Sequence, residues 1–286
     1  MPGSRPGRCW LLVGLLLVAA PATASAPERW QTLPPTPAPL PALRSGLLGI
    51  NGILIHYATY GHGSPVILLH GGLANSDYWG EQVPVLARHH TVILMDSRGH
   101  GRSTRDRRAY GYDLMADDVV GLMDSLQIPA ADIVGWSDGA IIGLDLALRH
   151  RTRVRRVFAF AANTTTSGVK AGVAANPTFA AFIKRAGHEY AAYSATPGQY
   201  AAFVTQIGRM WAGQPNWTAA QLGTITTPVV IADGDHDEAI HRGHTEEIAA
   251  SIPGAGLLIL PNTSHFAFLQ DPGMFNGAVL DFLDDR

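Results

Sequence analysis

The chain has 286 residues, 47% of them hydrophobic and 15% charged, with a formal net charge of −2. That length and apolar content bury a sizeable core as one large domain or two small ones, and exclude a disordered or fibrous chain. The near-neutral balance, without a basic run or an internal repeat, argues against nucleic acid as a partner.

In chain order, the first feature is an N-terminal segment in which Arg5 and Arg8 precede the apolar "CWLLVGLLLVAA" and small residues and prolines follow. A positive stretch, a short apolar stretch and an A-x-A site predict a secretory signal peptide over residues 1–24. The apolar run falls short of the ~20 residues that span a bilayer, so stable membrane insertion is not expected. Ala22-Thr23-Ala24 and Ala24-Ser25-Ala26 compete as cleavage sites. The second would leave Pro27 first, which signal peptidases disfavour, so cleavage is expected after Ala24, with the product secreted or periplasmic. Losing Arg5 and Arg8 from 21 basic residues leaves 19 against 23 acidic, about −4. The only cysteine, Cys9, leaves as well, so the remaining chain forms no disulfide. Residues 25–46 read as a proline-rich linker, with "LPPTPAPLPAL" extended rather than helical. The folded domain is expected over 47–286.

"GLLGINGILIHYATYG" places apolar runs on either side of Asn51-Gly52, the strongest short hairpin signal. Short apolar runs then alternate with longer segments of helical period. The runs are "PVILLH" (65–70), "TVILMD" (91–96), "ADIVGW" (131–136), "VRRVFAFAA" (154–162), "PVVIAD" (228–233) and "GLLILP" (256–261). Helices are expected near 113–126, 138–149, 239–251 and 271–284. Continuous apolar runs suit strands buried on both faces. The fold class is therefore α/β, with an eight-stranded, mostly parallel sheet covered by helices on both faces and the first two strands as an antiparallel edge hairpin. Residues of about 163–225 break the rhythm with a helical, aromatic-rich pattern, a cap insertion long enough to be functional.

In "VGWSDGA", Gly135 and Gly139 flank Ser137 at the end of an apolar run. A strand turning sharply into a helix has no room for Cβ atoms two residues either side of its apex. Glycine at both places lets the serine project its Oγ from a strained backbone. The helix N-terminus then aims free amides at the same point. A nucleophilic serine needs a base, and twelve histidines are available. His265 follows the last apolar run, at the carboxyl end of a strand, where ligands bind in open α/β sheets. His70 in "LLHGG" and His100 in "DSRGHGRS" are its rivals. The acid that orients the base lies among Asp233, Asp235, Asp237 and Glu238 of "IADGDHDEAI". A calcium loop starting at Asp233 would need glycine where Glu238 stands and glutamate where His244 stands, so that reading fails.

These features resemble the α/β-hydrolase superfamily over essentially the whole chain from about residue 47. The order Ser, Asp, His is the family's order. "HGGLANSDYW" is similar to its HG-x loop, "DSRGHGRS" to its D-x-R-G-x-G-x-S loop and "GDHD" to its G-x-x-D, which places the acid at Asp237 rather than Asp235. "SHFAFLQDP" resembles its G-H-x-x-x-x-E-x-P, with Ser264 in place of glycine and Gln270 in place of the acid. The resemblance implies a Ser137–Asp237–His265 triad, an oxyanion hole from the amides of Gly72 and Asp138, and no metal or organic cofactor. Relatives with an aspartate nucleophile carry it where Ser137 stands, so dehalogenase and epoxide hydrolase activities are not expected.

The expected function is hydrolysis of a small or medium carboxylic ester or lactone. Perhydrolase, amidase and C–C hydrolase chemistry would use the same triad, and a non-catalytic binder of the same fold is the alternative outside enzymes. Between residues 163 and 232 the only acid is Glu189, against Lys170, Lys184, Arg185 and Arg209, about +3. That balance, with the aromatic cap, favours neutral apolar esters over amino-acid esters.

Overall fold

A computed structural model describes residues 27–284, together with Met1 and Gly3. The expected signal peptide and its cleavage site lie outside the described residues.

The sheet has eight strands in the order β1-β2-β4-β3-β5-β6-β7-β8. They are β1 Arg44–Ile50, β2 Ile53–Tyr60, β3 Ser64–Leu69, β4 His90–Met95, β5 Ala131–Trp136, β6 Val154–Phe160, β7 Val229–Gly234 and β8 Gly256–Leu260. β1 pairs antiparallel with β2, and β2 antiparallel with β4. All other pairings are parallel. The hairpin turns at Asn51 and Gly52, both at positive φ (45° and 82°), which a two-residue turn matched to strand twist demands. Every residue of the central β5 is buried, whereas edge strand β1 alternates between covered and exposed positions. The apolar runs of the sequence therefore sit where both sheet faces are covered.

The helices are α1 Val83–Leu86, α2 Tyr112–Ser125, α3 Asp138–Arg149, α4 Pro177–Tyr193, α5 Tyr200–Trp211, α6 Ala219–Leu222, α7 Arg242–Ser251, α8 Ala267–Gln270 and α9 Pro272–Leu283. α3 packs on β5 and β6 and against α2, while α9 packs with α1 and α8. α4, α5 and α6 all fall between β6 and β7, the stretch where the sequence breaks its strand rhythm. Phe182, Tyr190 and Phe203 bury their rings there.

The proline-rich segment differs from a free spacer. Arg185 of α4 donates to the carbonyls of Leu33 and Pro34, at 3.0 and 2.6 Å. Thr36 donates to Glu189 of α4. Trp30 stacks on His236, ring centroids 4.4 Å apart. Arg29 pairs with Asp271. Prolines keep residues 32–42 from helix or sheet, and carbonyls of this segment are taken by Arg185 of the cap and Gln270 of α8. β1 also starts at Arg44, before the expected boundary at residue 47, because Arg44–Gly46 complete the ladder to Tyr57–Thr59.

Candidate active site

Ser137 stands between β5 and α3 at φ 55° and ψ −119°, a backbone conformation that costs an L residue on the order of 1–3 kcal/mol. Glycines make the turn feasible. A Cβ on Gly139 would collide with the carbonyl of Leu69, and one on Gly135 with the backbone of Gly139. The elbow thus presses against the end of β3, where the HG-x loop begins.

That loop is held from behind. Ser97 N–H donates to His70 Nε2 at 3.0 Å, and His70 Nδ1 lies 2.7 Å from the Gly71 carbonyl. Asp96 accepts the amides of Ser76 and Arg102, each at 2.7 Å. Arg98, fully buried, forms a two-pronged ion pair with Asp118 at 2.7 Å per prong. Burial pushes His100 down to about 3, so it stays neutral. The two rival histidines are therefore anchors of a scaffold, and neither lines the cavity that Ser137 faces.

His265 follows β8 and Asp237 follows β7, adjacent parallel strands whose carboxyl ends lie side by side. His265 Nδ1 is 2.7 Å from Asp237 Oδ2, with both residues buried. Burial disfavours the imidazolium, but the Asp237 carboxylate outweighs it and raises the His265 pKa above the ordinary value of 6.5. Asp235 turns away and accepts the Thr263 amide at 3.1 Å. Glu238, which sequence reasoning left without a role, accepts the His265 amide at 3.0 Å and the Ser264 hydroxyl at 3.3 Å.

Ser137 and His265 line one cavity of about 450 Å³, within the range of small-molecule sites. Gly72 and Asp138 line it beside them. Asp138 opens α3, so its amide has no partner within the helix. Much of the remaining wall comes from the cap and is apolar: Val173, Phe179, Phe182, Ile183 and Trp211.

The Asp138 side chain is the feature that sequence reasoning missed. Its carboxyl accepts the Tyr112 hydroxyl at 2.8 Å and Trp211 Nε1 at 2.9 Å. Burial raises its pKa to about 6. Glu189, the only acid of the cap, is instead bound by Thr36 and Asn75 and does not line the cavity. The cap thus supplies no carboxylate to the cavity, but α3 supplies one, which the reading of substrate charge from the cap alone did not count. Lys170 and Arg185 of the positive cap spend their charge on backbone carbonyls.

Among the described residues, no group of three or more His, Cys, Asp or Glu side chains is placed to hold a metal ion. Likewise, no described helix is long and apolar enough to cross a membrane.

Residues 64–191 match the family model described as alpha/beta hydrolase fold. The serine hydrolase BPHL of Mus musculus is 27% identical over 261 residues, which span 85% of this chain and 87% of that protein. The hydrolase RutD of Variovorax paradoxus (strain S110) is 30% identical over 259 residues, 80% of this chain and 96% of that protein. In three dimensions, the meta-cleavage product hydrolase CumD of Pseudomonas fluorescens IP01 superposes with a TM-score of 0.75 at 24% identity, covering 84% of this chain and 97% of that one. Names of other matched proteins span an enol-lactonase and a carboxylesterase. The strand order, the strained serine between sheet and helix, and relatives aligned over most of their length agree: the chain belongs to the α/β-hydrolase family, as a serine hydrolase.

Proposed function

We propose that this hydrolase cleaves carboxylic esters or lactones of small to medium, neutral apolar substrates through an acyl-enzyme. The observation that carries the reading is the shared cavity: a strained Ser137, the Asp237-bound His265 and an apolar wall meet in one volume. In this reading Ser137 Oγ attacks the carbonyl carbon while His265 Nε2 takes its proton. Asp237 holds the imidazole in the correct tautomer and stabilises its cation. The amides of Gly72 and Asp138 receive the oxyanion. His265 returns the proton to the leaving alkoxide, and a water activated by the same imidazole then releases the acid. Apolar cap side chains favour the acyl group by roughly 25 cal/mol per Å² buried. The reading includes export by residues 1–24.

A second reading rests on Asp138. A carboxylate that meets only neutral donors within an apolar cavity favours a substrate cation, such as the ammonium of an amino-acid ester.

A fluorophosphonate probe tests the class: it should label wild type and not Ser137→Ala. Labelling of both proteins equally would remove Ser137 as the nucleophile. Butyryl and alanyl esters of one leaving group separate the two substrate readings by kcat/KM. A clear alanyl preference, lost by roughly tenfold or more in Asp138→Asn, would install the second reading in place of the first.

A further inference from the structure

A second concavity lies outside the catalytic cavity. The loop between β4 and α2 and one stripe of α5 (Ala202, Thr205, Gln206, Arg209) enclose a groove of about 770 Å³. Four arginines line it: Arg105, Arg107, Arg108 and Arg209. Among the described residues, no acid lines it. The chain as a whole has a net charge of −2, so this concentration of cations runs against its overall balance.

The acids within reach are already engaged. Asp118 takes both prongs of the buried Arg98 at 2.7 Å. Asp106 accepts Arg108 Nε at 2.6 Å and Arg98 Nη1 at 3.3 Å. Asp113, just beyond the loop, is exposed and does not face the groove. Among the described residues, Arg105, Arg107 and Arg209 form no ion pair.

Arg105 is nevertheless fixed in place. Its Nη1 donates to Gln199 and its Nη2 to Gln206, both at 2.9 Å. Gln206 Nε2 in turn donates to the carbonyls of Asp106 and Arg108, at 3.0 and 2.5 Å. These acceptors are neutral, so they hold the guanidinium without cancelling its charge. Arg107 and Arg209 are exposed on the two facing walls.

We propose that this groove binds a small multivalent oxyanion of phosphate chemistry, held by Arg105 and Arg107 of the loop and Arg209 of α5. Three unpaired like charges around one concavity repel one another, and walls of low dielectric focus their field on an incoming anion. Guanidinium forks match phosphoryl oxygens in pairs, and a ligand with oxygens on several sides meets both walls at once. A single carboxylate would leave most of that charge unmatched. The concave shape favours a soluble ligand over a lipid headgroup, because a flat anionic surface would meet only the rim. Gln214 lines both this groove and the catalytic cavity, so the two sites adjoin without sharing Ser137 or His265. The proposal does not depend on the esterase reading.

Isothermal titration calorimetry of the full chain with inorganic pyrophosphate, in about 0.15 M salt to screen loose surface attraction, tests it. Saturable binding with a Kd below about 1 mM is expected, and acetate should bind at least about tenfold more weakly. The double variant Arg107→Gln/Arg209→Gln changes only exposed side chains and should lose about tenfold or more in pyrophosphate affinity. Ser137→Ala should bind as wild type does. Absence of saturable binding overturns the proposal, as does equal affinity for acetate. So does a double variant, folded by circular dichroism, that binds pyrophosphate unchanged. Co-sedimentation with phosphatidylglycerol vesicles, in a protein that ignores pyrophosphate, would replace the soluble ligand with a membrane surface and overturn it too. Loss of pyrophosphate binding after fluorophosphonate labelling of Ser137 would move the anion into the catalytic cavity, against the proposal.

Discussion

Asp138 is held by Tyr112 and Trp211 at the wall of the cavity that Ser137 lines, and the two donors do not fully offset its burial. Its pKa of about 6, against an ordinary 3.8, means that the folded state holds a proton the unfolded chain has released. Stability contributed by this group is therefore full below pH 3.8 and falls as pH rises to about 6. The shift corresponds to about 3 kcal/mol in all. Asparagine keeps an acceptor for both donors without a charge. Thermal unfolding at a series of pH values should show Asp138→Asn gaining stability relative to wild type from pH 4 to pH 7, by about that amount. Parallel curves for the two proteins would contradict a buried carboxyl here. In the proposed mechanism His265 sets the opposite sense for activity: as the base it must be neutral, and its raised pKa would place the acid limb of kcat/KM above 6.5.

The segment before β1 accounts for two departures from the family pattern. Gln270 Nε2 donates to the carbonyls of Thr32 at 2.8 Å and Trp30 at 3.3 Å, while its Oε1 accepts the Ser264 amide at 2.8 Å. A glutamate would still accept that amide but could offer nothing to the two carbonyls. Ser264, where the pattern has glycine, accepts a further donation from Gln270 at 3.0 Å. Serine and glutamine thus join the loop carrying His265 to a strap that continues onto α4 of the cap. Gln270→Glu should set lone pairs against lone pairs and cost about 1–3 kcal/mol, a fall of roughly 5 °C in Tm. Limited proteolysis should then cut within residues 27–43 while the sheet domain survives. An unchanged Tm together with unchanged cleavage would show that the strap is held by other contacts.

At the scale of the whole molecule, the parallel order of β5, β6, β7 and β8 brings together residues that are far apart in sequence. Each strand delivers its carboxyl end to the same edge, so Ser137, Asp237 and His265 arrive from three separate crossovers. The strap adds the opposite end of the chain to this edge. If residues 1–24 are removed on export, as proposed, the released chain starts only a few residues before Arg29, which is docked on Asp271. N-terminal sequencing of protein recovered from an exporting host should therefore begin at Ser25. Full-length chain in the membrane fraction would contradict export.

Local chemistry was enough to determine the strands, the hairpin and the elbow. A buried parallel strand must be continuously apolar, a two-residue turn needs positive φ at Asn51 and Gly52, and the turn at Ser137 excludes Cβ atoms at residues 135 and 139. These constraints act within a few residues, so they are written in consecutive letters. Tertiary structure decided the rest. The Asp138 carboxyl lies in the cavity because Tyr112 from α2 and Trp211 from α5 hold it there. Among four acids in one short segment, local chemistry leaves the choice open and the family resemblance points to Asp237; the approach of the loop after β8 makes Asp237 the partner of His265, with Asp235 turned to Thr263. A proline-rich spacer and a packed strap have the same composition. What separates them is whether distant donors such as Arg185 and Gln270 meet the carbonyls of the segment, and that is a property of the assembled molecule.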